Sequence, residues 1–353
     1  MSGAENQGWL LLTNDDGIQA IGMRLLVEAL NNRGHKVVVF APSNNQSATG
    51  MRINLMTPLS WRFRNDLKKE WDVNDNNLHL IELDGTPCDT MIVALDKGLN
   101  HILPDITPRL VVSGVNLGPN MSQDSYHSGT MGAAREAGLY GMPAIASSLS
   151  SFEEEGMQKA VDATVQLVEY ALDVLPVEPE NLRRPSVDIS KSHVSRWPVI
   201  EDNPAWAKDP IEALRTAFRH GELMLNINTP PTWNGKFQTT RLGMRWYRDA
   251  ISFAETSDNE NTATFTIGAA SIDHTPVENS DCDAVMMDES SISCLPTWPQ
   301  THPLAIDDRL LTWCLKSGED NYPIWLKIWA YSLIYQRVTN SYCHVSLKPS
   351  LAQ

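Results

Sequence analysis

The first half of the chain alternates short apolar runs with helical periodicity, which is typical of an α/β protein with parallel strands. An apolar run over residues 9–12 predicts a first strand, and the run from Lys36 to Ala41, stopped by Pro42, predicts a second. Between them the i, i+3, i+4 and i+7 spacing of apolar residues predicts a helix that Gly34 ends: Met23, Leu26, Val27 and Leu30. Two parallel strands joined by a helix in so short a span form a right-handed βαβ unit.

The same alternation continues, less regularly, to about residue 172. Further strands are predicted over residues 78–83, 110–113 and 143–147. Further helices are predicted from Pro87 through Ala94, over residues 129–139, and along the apolar face formed by Val161, Val165, Val168 and Leu172. This pattern predicts a Rossmann-like fold with a mostly parallel sheet flanked by helices.

The second half of the chain has a different character. Residues 176–210 mix proline, charge and aromatics without a period, which predicts a long loop or an insertion, and residues 222–228 then resume as a strand. Residues 241–253 and 262–267 predict paired strands. We therefore predict one domain over residues 1–300, with a core at 8–150, an insertion at 176–221 and a hairpin-rich extension at 222–300. The sequence pattern does not predict the structure of the aromatic-rich tail at 301–353.

Length and charge limit the function. A chain of 353 residues can bury a sizeable core, in one large domain or two modest ones. The formal net charge of −15 excludes general affinity for DNA, RNA or acidic membranes, because these partners need basic surfaces. It also means that a phosphorylated substrate needs a local cation or a helix N-terminus to bind.

Cysteine usage and the N-terminus indicate the compartment. The five cysteines are odd in number and widely separated, and no CxxC motif occurs, so neither a disulfide framework nor a zinc site is indicated. The first residues have no basic region followed by an apolar stretch, and no apolar run reaches transmembrane length. We therefore expect a soluble, cytoplasmic protein.

Polar segments follow three of the predicted strands, at residues 13–17, 43–47 and 113–116. If those strands are neighbours, the segments meet in the crevice where open α/β sheets bind ligands. They bring together the oxygen donors that suit Mg²⁺ or Mn²⁺, which belong to Asp15, Asp16, Ser47 and Asn116. The alternatives are that one Asp caps the next helix and that Ser47 and Asn116 are turn residues bonded to their own backbone. The turn role is favoured for either residue alone, whereas the three segments together favour a cation site.

A helix start provides a candidate anion site. Ser128, Gly129 and Thr130 precede the helix over 131–139, and the backbone N–H groups there, with the Thr130 hydroxyl, can hold a phosphate. The alternative is an ordinary serine N-cap. We expect His127 at the rim of this site, and we expect the small residues 132–134 to permit close packing of the helix on the sheet.

Other candidates are weaker. Residues 85–89 read as a helix start with a proline near its first position, which indicates a structural role or a pocket wall. A second acidic site is conceivable, but an exposed acidic loop is the favoured interpretation of Asp281, Asp283, Asp288 and Glu289. The absence of GxGxxG and of a Walker lysine motif excludes dinucleotide-binding and P-loop interpretations.

At these residues the chain resembles the SurE family of survival-protein nucleotidases. The matching blocks include LLLTNDDGIQAIGMRLLVEAL at 10–30, VVVFAPSNNQSATG at 37–50, ELDGTPCD at 82–89 and the segment 111–150. Weaker matches cover residues 223–230 and 277–299. The NDDG motif alone is not specific, whereas four blocks in the family's order are.

The resemblance implies a divalent-metal phosphatase acting on nucleoside 5′- and 3′-monophosphates, often with exopolyphosphatase activity. It implies one Mg or Mn ion per subunit, with Asp15 and Asp16 as the catalytic pair and as metal ligands together with Ser47 and Asn116. It also implies a phosphate pocket lined by Asn45, Ser128, Gly129 and Thr130. A homodimer or homotetramer with an exchanged C-terminal segment is expected.

The chain departs from the family pattern in three places. Ala20-Ile21-Gly22 lacks the proline that family members commonly carry after NDDGI, the stretch 176–221 is longer than usual, and the tail has no counterpart. The last two leave assembly and substrate preference open. Two rival functions also stay open. One is an aspartyl-phosphate phosphatase of the haloacid dehalogenase type, whose acids are spaced DxD rather than adjacent, and the other is a nucleotide- or sugar-phosphate-binding regulator without turnover.

Overall fold

The computed structural model describes residues 8–71, 73, 77–177, 202–253, 264–268 and 271–327. Its strands are β1 (Trp9–Thr13), β2 (Val37–Pro42), β3 (Trp61–Phe63), β4 (Leu78–Leu83), β5 (Pro108–Leu117), β6 (Ala144–Leu149), β7 (Leu223–Thr229), β8 (Phe237–Thr240), β9 (Met244–Arg248), β10 (Ile251–Phe253), β11 (Phe265–Ile267), β12 (Ser271–Thr275) and β13 (Ser290–Pro296). Its helices are α1 (Ile21–Asn32), α2 (Asn65–Glu70), α3 (Pro87–Val93), α4 (Leu99–Ile102), α5 (Asp124–His127), α6 (Gly129–Leu139), α7 (Met157–Val174), α8 (Pro210–Arg219), α9 (Asp281–Met286) and α10 (Asp308–Leu311).

A sheet of nine strands in the order β3-β4-β2-β1-β5-β6-β7-β13-β8 forms the centre of the described part of the chain. The strands from β4 to β7 in that order are all parallel, while β3 and β13 run antiparallel to their inner neighbours. The predicted α/β fold with a mostly parallel sheet is confirmed. The carboxyl ends of β2, β1, β5 and β6 consequently lie side by side at one edge of the sheet.

Helices cover both faces of this sheet, which explains the continuous apolar runs of its strands. Leu10 and Leu12 of β1 lie in one core cluster with α1 and α7, whereas Leu11 lies in the other cluster with α3 and α6. Side chains alternate along a strand, so consecutive leucines serve opposite faces. The predicted apolar face of α1 is buried, and Gly34 takes a φ of +84° just after the helix.

The polar segment at 113–116 was predicted to follow a strand as a loop, but it is part of the strand itself. β5 continues to Leu117, with a shift in its register to β6 between Ser113 and Asn116. Gly114 permits this irregularity, because its φ is +137° and a Cβ there would lie 2.3 Å from the Ser147 carbonyl oxygen. Such a bulge redirects side chains within a strand, and Asn116 lies at the carboxyl end of β5, beside the ends of the neighbouring parallel strands.

The last part of the predicted insertion at 176–221 is helical, just beyond the aperiodic stretch 176–210. α8 has an N-cap in Asp209 and a proline at its first position, and it buries Leu214 and Phe218 in the core. Residues 178–201 lie outside the described residues. This helix was not predicted from the sequence, because a helix of this length is stabilised mainly by tertiary packing.

The predicted paired strands are present in part. β10 pairs with β11 as expected, whereas β9 pairs with β12, which lies beyond the predicted range. The first part of the aromatic-rich tail belongs to the core, because Trp325 is fully buried with its ring centroid 5.3 Å from that of Phe218. Trp329, Tyr331 and Tyr335 lie outside the described residues.

Candidate active site

The two adjacent aspartates lie on the turn that leaves β1. Gly17 makes this turn possible, since its φ is +97° and a Cβ on it would lie 3.1 Å from the carbonyl carbon of Asn44. The Asn14 side chain donates to the Gly17 carbonyl at 2.8 Å and closes the turn. α1 has Ala20 as its N-cap and no side chain caps it, so neither Asp15 nor Asp16 has the capping role considered as an alternative.

Asp15 faces the start of α6. Its side chain accepts a hydrogen bond from the Thr130 hydroxyl, and Asp15 is only 3% exposed. Burial raises the pKa of the Asp15 carboxyl, while the Thr130 hydroxyl and the backbone amides of Thr130 and Gly129 act in the opposite direction. The helix start identified from the sequence therefore holds a protein carboxylate directly.

Asp16 points toward β5 and is half-buried. Its Oδ2 accepts the backbone N–H of Leu117 at 2.9 Å. Burial, and then the charge of Asp15, raise the pKa of the Asp16 carboxyl to about 6. The pKa values of both neighbouring carboxyls are raised, and a bound cation would stabilise their ionised forms.

The loop after β2 crosses from the end of that strand to the start of α6. The backbone N–H of Gln46 donates to the Asp15 carbonyl at 2.6 Å, and that of Gly50 donates to the His127 carbonyl at 2.8 Å. Asn45 and Ser47 are exposed on this loop, and the Asn45 side chain accepts the backbone N–H of Ser47 at 2.8 Å. Asn45 thus makes an Asx turn that shapes the segment carrying Ser47.

Asn116 occupies the bulge in β5 and is buried. Its Nδ2 donates to the carbonyl of Gly118 at 2.7 Å, so the local backbone bond considered as its alternative role is present. That bond engages the nitrogen of the amide and leaves the oxygen, the atom that a hard cation binds, on the opposite side of the group. Asn116 therefore makes its turn bond and keeps an amide oxygen that can accept a further bond or bind a cation.

The residues at the start of α6 have two roles, capping of the helix and contact with Asp15. Ser128 accepts the backbone N–H of Met131 at 3.0 Å, so it is the ordinary N-cap that the sequence analysis kept as an alternative. A Cβ on Gly129 would lie 2.8 Å from the Cβ of Asp15, so a glycine is needed for this close approach. His127 is exposed, as expected for a residue at the rim.

The donor set fits a hard divalent cation. Within the residues that the structure describes, no three His, Cys, Asp or Glu side chains come together as a metal site. A cation here would therefore be held by two carboxylates and neutral oxygens, which are suitable for Mg²⁺ or Mn²⁺ and unsuitable for zinc. The adjacent carboxylates of the buried Asp15 and the half-buried Asp16 would provide the charge that such an ion requires.

A second acidic network, formed around Asp281 and Asp124, lies beside the segment before α6. Asp281 is fully buried and accepts the backbone N–H groups of Gly243 at 2.8 Å and Ser122 at 3.1 Å, so the expected exposed acidic loop is wrong for this residue. Asp124 is buried and accepts the hydroxyl of Tyr247, which β9 carries. These bonds join the β9–β12 pair to the segment just before α6. The sequence gives no local signal for these bonds, because the partners lie 38 to 159 residues apart.

None of the helices in the described ranges is long and apolar enough to cross a membrane. In comparisons with known proteins, residues 10–249 match the family model described as survival protein SurE. The chain is similar to the SurE protein from Aquifex aeolicus in its crystal structure, with a TM-score of 0.56 and 25% identity, over 82% of this chain and 94% of that one.

Curated relatives agree with this match. The chain is 32% identical over 250 residues to the 5′-nucleotidase SurE of Prochlorococcus marinus strain MIT 9211, covering 69% of this chain and 71% of the relative. It is 31% identical over 280 residues to the 5′-nucleotidase SurE of Anaeromyxobacter dehalogenans strain 2CP-C, covering 79% of this chain and 85% of the relative. The fold, the acidic turn after β1 and these matches agree, and the chain belongs to the SurE family.

Proposed function

We propose that this protein hydrolyses nucleoside 5′- and 3′-monophosphates to nucleoside and phosphate with the help of a divalent metal ion. The observation that carries the proposal is the pair of adjacent carboxylates, the buried Asp15 bonded to the start of α6 and the half-buried Asp16 bonded to the end of β5. The curated relatives are named 5′-nucleotidase SurE, and the chain is an enzyme of that family. Exopolyphosphatase activity is a further expectation.

One cation per subunit, Mg or Mn, would be held by oxygens of Asp15, Asp16, Ser47 and Asn116. Such an ion supplies a Lewis acid that withdraws charge from a phosphate oxygen and makes a water molecule more acidic. Ser47 and Asn116 are neutral, so the ion would offset the charge of both aspartates and the site would not repel an anionic substrate. A phosphate needs this local neutralisation on a protein whose net charge is −15.

The chain's own groups have separate tasks in this proposal. Thr130 fixes the Asp15 carboxylate, whereas Asp16 uses Oδ2 for the Leu117 amide and keeps Oδ1 to orient a water or accept its proton. The first turn of α6, at Ser128–Thr130, and Asn45 line the space for the phosphate. The positive end of the α6 dipole stabilises negative charge that develops on the phosphate oxygens.

Release of phosphate tests the proposal. Protein stripped with a chelator is titrated with Mn²⁺ or Mg²⁺ while phosphate is measured from 5′-AMP, 3′-AMP and polyphosphate. We expect no release without metal and saturable release with it, and we expect Asp15→Asn to abolish it. Asp84→Asn, at an exposed aspartate after β4, is the matched control and should keep full activity.

The same experiment discriminates the rival functions. Tight binding of nucleotide without turnover under any divalent ion would favour a regulator. A trapped phosphoaspartate would favour the haloacid dehalogenase type of chemistry. The one-domain organisation over 1–300, cytoplasmic location and assembly as a homodimer or homotetramer belong to the proposal, and light scattering of the purified protein measures the assembly.

A further inference from the structure

An exposed aromatic ring stands at the rim of the proposed site. Phe152 lies on the loop between β6 and α7 and is 70% exposed. The loop is anchored at its start, where the backbone N–H of Ser150 donates to the Thr229 carbonyl at 2.8 Å. Because β6 neighbours β5, this loop leaves the same edge of the sheet that carries Asn116.

The ring contacts the backbone that positions a proposed metal ligand. A Cβ placed on Gly118 would lie 3.1 Å from Cε1 of Phe152 and 3.6 Å from Nδ2 of Asn116, so the ring and the amide border one small space. The carbonyl of Gly118 is also the acceptor of the Asn116 amide. One edge of the ring therefore packs on Gly118, and most of the ring surface remains open to solvent.

Two other exposed aromatics invite comparison with Phe152: Tyr126 of α5, which is 72% exposed, and Trp61. Trp61 packs edge to face on Phe63, with ring centroids 5.4 Å apart, and is 42% exposed. It lines a cleft of about 430 Å³ together with Arg62, Glu82 and the start of the loop after β2, at Ser43 and Asn44. Phe152 differs from Trp61 in that its ring borders Asn116, a proposed metal ligand, at the space beside Gly118.

We propose that Phe152 stacks on the nucleobase of the substrate and makes the site selective for nucleotides over other phosphomonoesters. The inference rests on the proposed function and extends it to substrate class. Every nucleobase presents a π face, so an aromatic ring binds all of them with little discrimination. The exposed run Glu153–Glu155 follows the ring and repels a second phosphate, which favours a base at this position over a polyphosphate chain.

Steady-state kinetics with paired substrates test the proposal on the metal-loaded protein. AMP and ribose 5-phosphate carry the same phosphate and sugar and differ only in the base. We expect Phe152→Ala to raise KM for AMP on the order of tenfold, with kcat and the KM for ribose 5-phosphate unchanged. Phe152→Trp should restore the KM for AMP. Trp61→Ala is the control and should leave both substrates unaffected.

Three results would overturn the inference. An equal loss on AMP and ribose 5-phosphate would mean that Phe152 only supports Gly118 and Asn116. An unchanged KM for AMP in Phe152→Ala would remove the ring from the binding site. A raised KM for AMP in Trp61→Ala alone would place the base in the other cleft.

Failure of the proposed function gives a different pattern, because the wild-type protein would then release no phosphate from AMP. Calorimetric titration of AMP and ribose 5-phosphate into the wild type and Phe152→Ala, both loaded with Mn²⁺, then decides the matter. Loss of AMP affinity alone in the variant supports stacking. Equal affinities in the two proteins overturn it.

Discussion

Replacing Asp16 with asparagine should stabilise the metal-free protein while it removes metal binding. The substitution keeps the size of the side chain and an oxygen that can accept the Leu117 amide. It removes a half-buried negative charge that lies beside Asp15. The same charge is required for the cation in the proposed function, so stability and activity should change in opposite directions.

The size of the effect follows from the pKa of the Asp16 carboxyl. Burial and the charge of Asp15 raise that pKa from 3.8 to about 6. A shift of roughly two units means that ionisation disfavours the metal-free fold by about 3 kcal/mol, and screening of this half-buried group reduces the expected effect to about 1–3 kcal/mol. The penalty is absent below about pH 4, grows as the pH rises toward 6, and is complete above it.

Denaturant unfolding in the presence of a chelator measures this at pH 4 and pH 8. We expect Asp16→Asn to raise the free energy of unfolding at pH 8 only, and the exposed control Asp105→Asn to change it at neither pH. Added Mn²⁺ should raise the Tm of the wild type but not of Asp16→Asn. The reasoning is refuted if the gain is equal at both pH values, or if Mn²⁺ stabilises the variant as much as the wild type.

Three further substitutions test the surroundings of the site. Thr130→Val removes the hydroxyl that donates a hydrogen bond to Asp15. We expect the free energy of unfolding in denaturant to fall by about 1.5–3 kcal/mol and kcat to fall, and we expect Thr130→Ser to restore both. Gly129→Ala would place a Cβ 2.8 Å from that of Asp15, so calorimetry should show weaker Mn²⁺ binding while circular dichroism shows unchanged helix content. Tyr247→Phe leaves the buried Asp124 without its hydroxyl donor, so thermal unfolding should show about 1–3 kcal/mol of destabilisation, and an unchanged Tm would contradict this.

The parts of the fold that could be predicted are those with local periodicity. β1, α1 and β2 follow from apolar runs and one helical face because each buries a continuous surface of its own. The prediction that Asp15 and Asp16 lie in the crevice follows from the same logic, since parallel strands end at one edge. The division of roles around α6 did not follow, because an N-cap and a phosphate-binding turn use the same residue types.

The features that escaped prediction depend on partners distant in sequence. The bulge that places Asn116 depends on the close approach of Gly114 to Ser147 of β6, which no local pattern records. Asp281 reads as one of several acidic loop residues, yet it is buried because backbone amides from Ser122 and Gly243 satisfy it. A sequence shows which residues are charged, but it does not show which distant backbone amides donate hydrogen bonds to them.

In the proposed function, Asp15 would connect the cation and the phosphate more closely than the sequence suggested. The start of α6 attracts anions, and in this structure the Asp15 carboxylate already lies against it. A phosphate drawn to the same turn comes beside that negative charge, and the repulsion between them is large at short range in a partly desolvated crevice. In the proposed function a bound divalent ion would offset the charge of Asp15 and so weaken this repulsion. We therefore expect phosphate to bind tightly at α6 only when the metal is also bound, because both would depend on the Asp15 carboxylate.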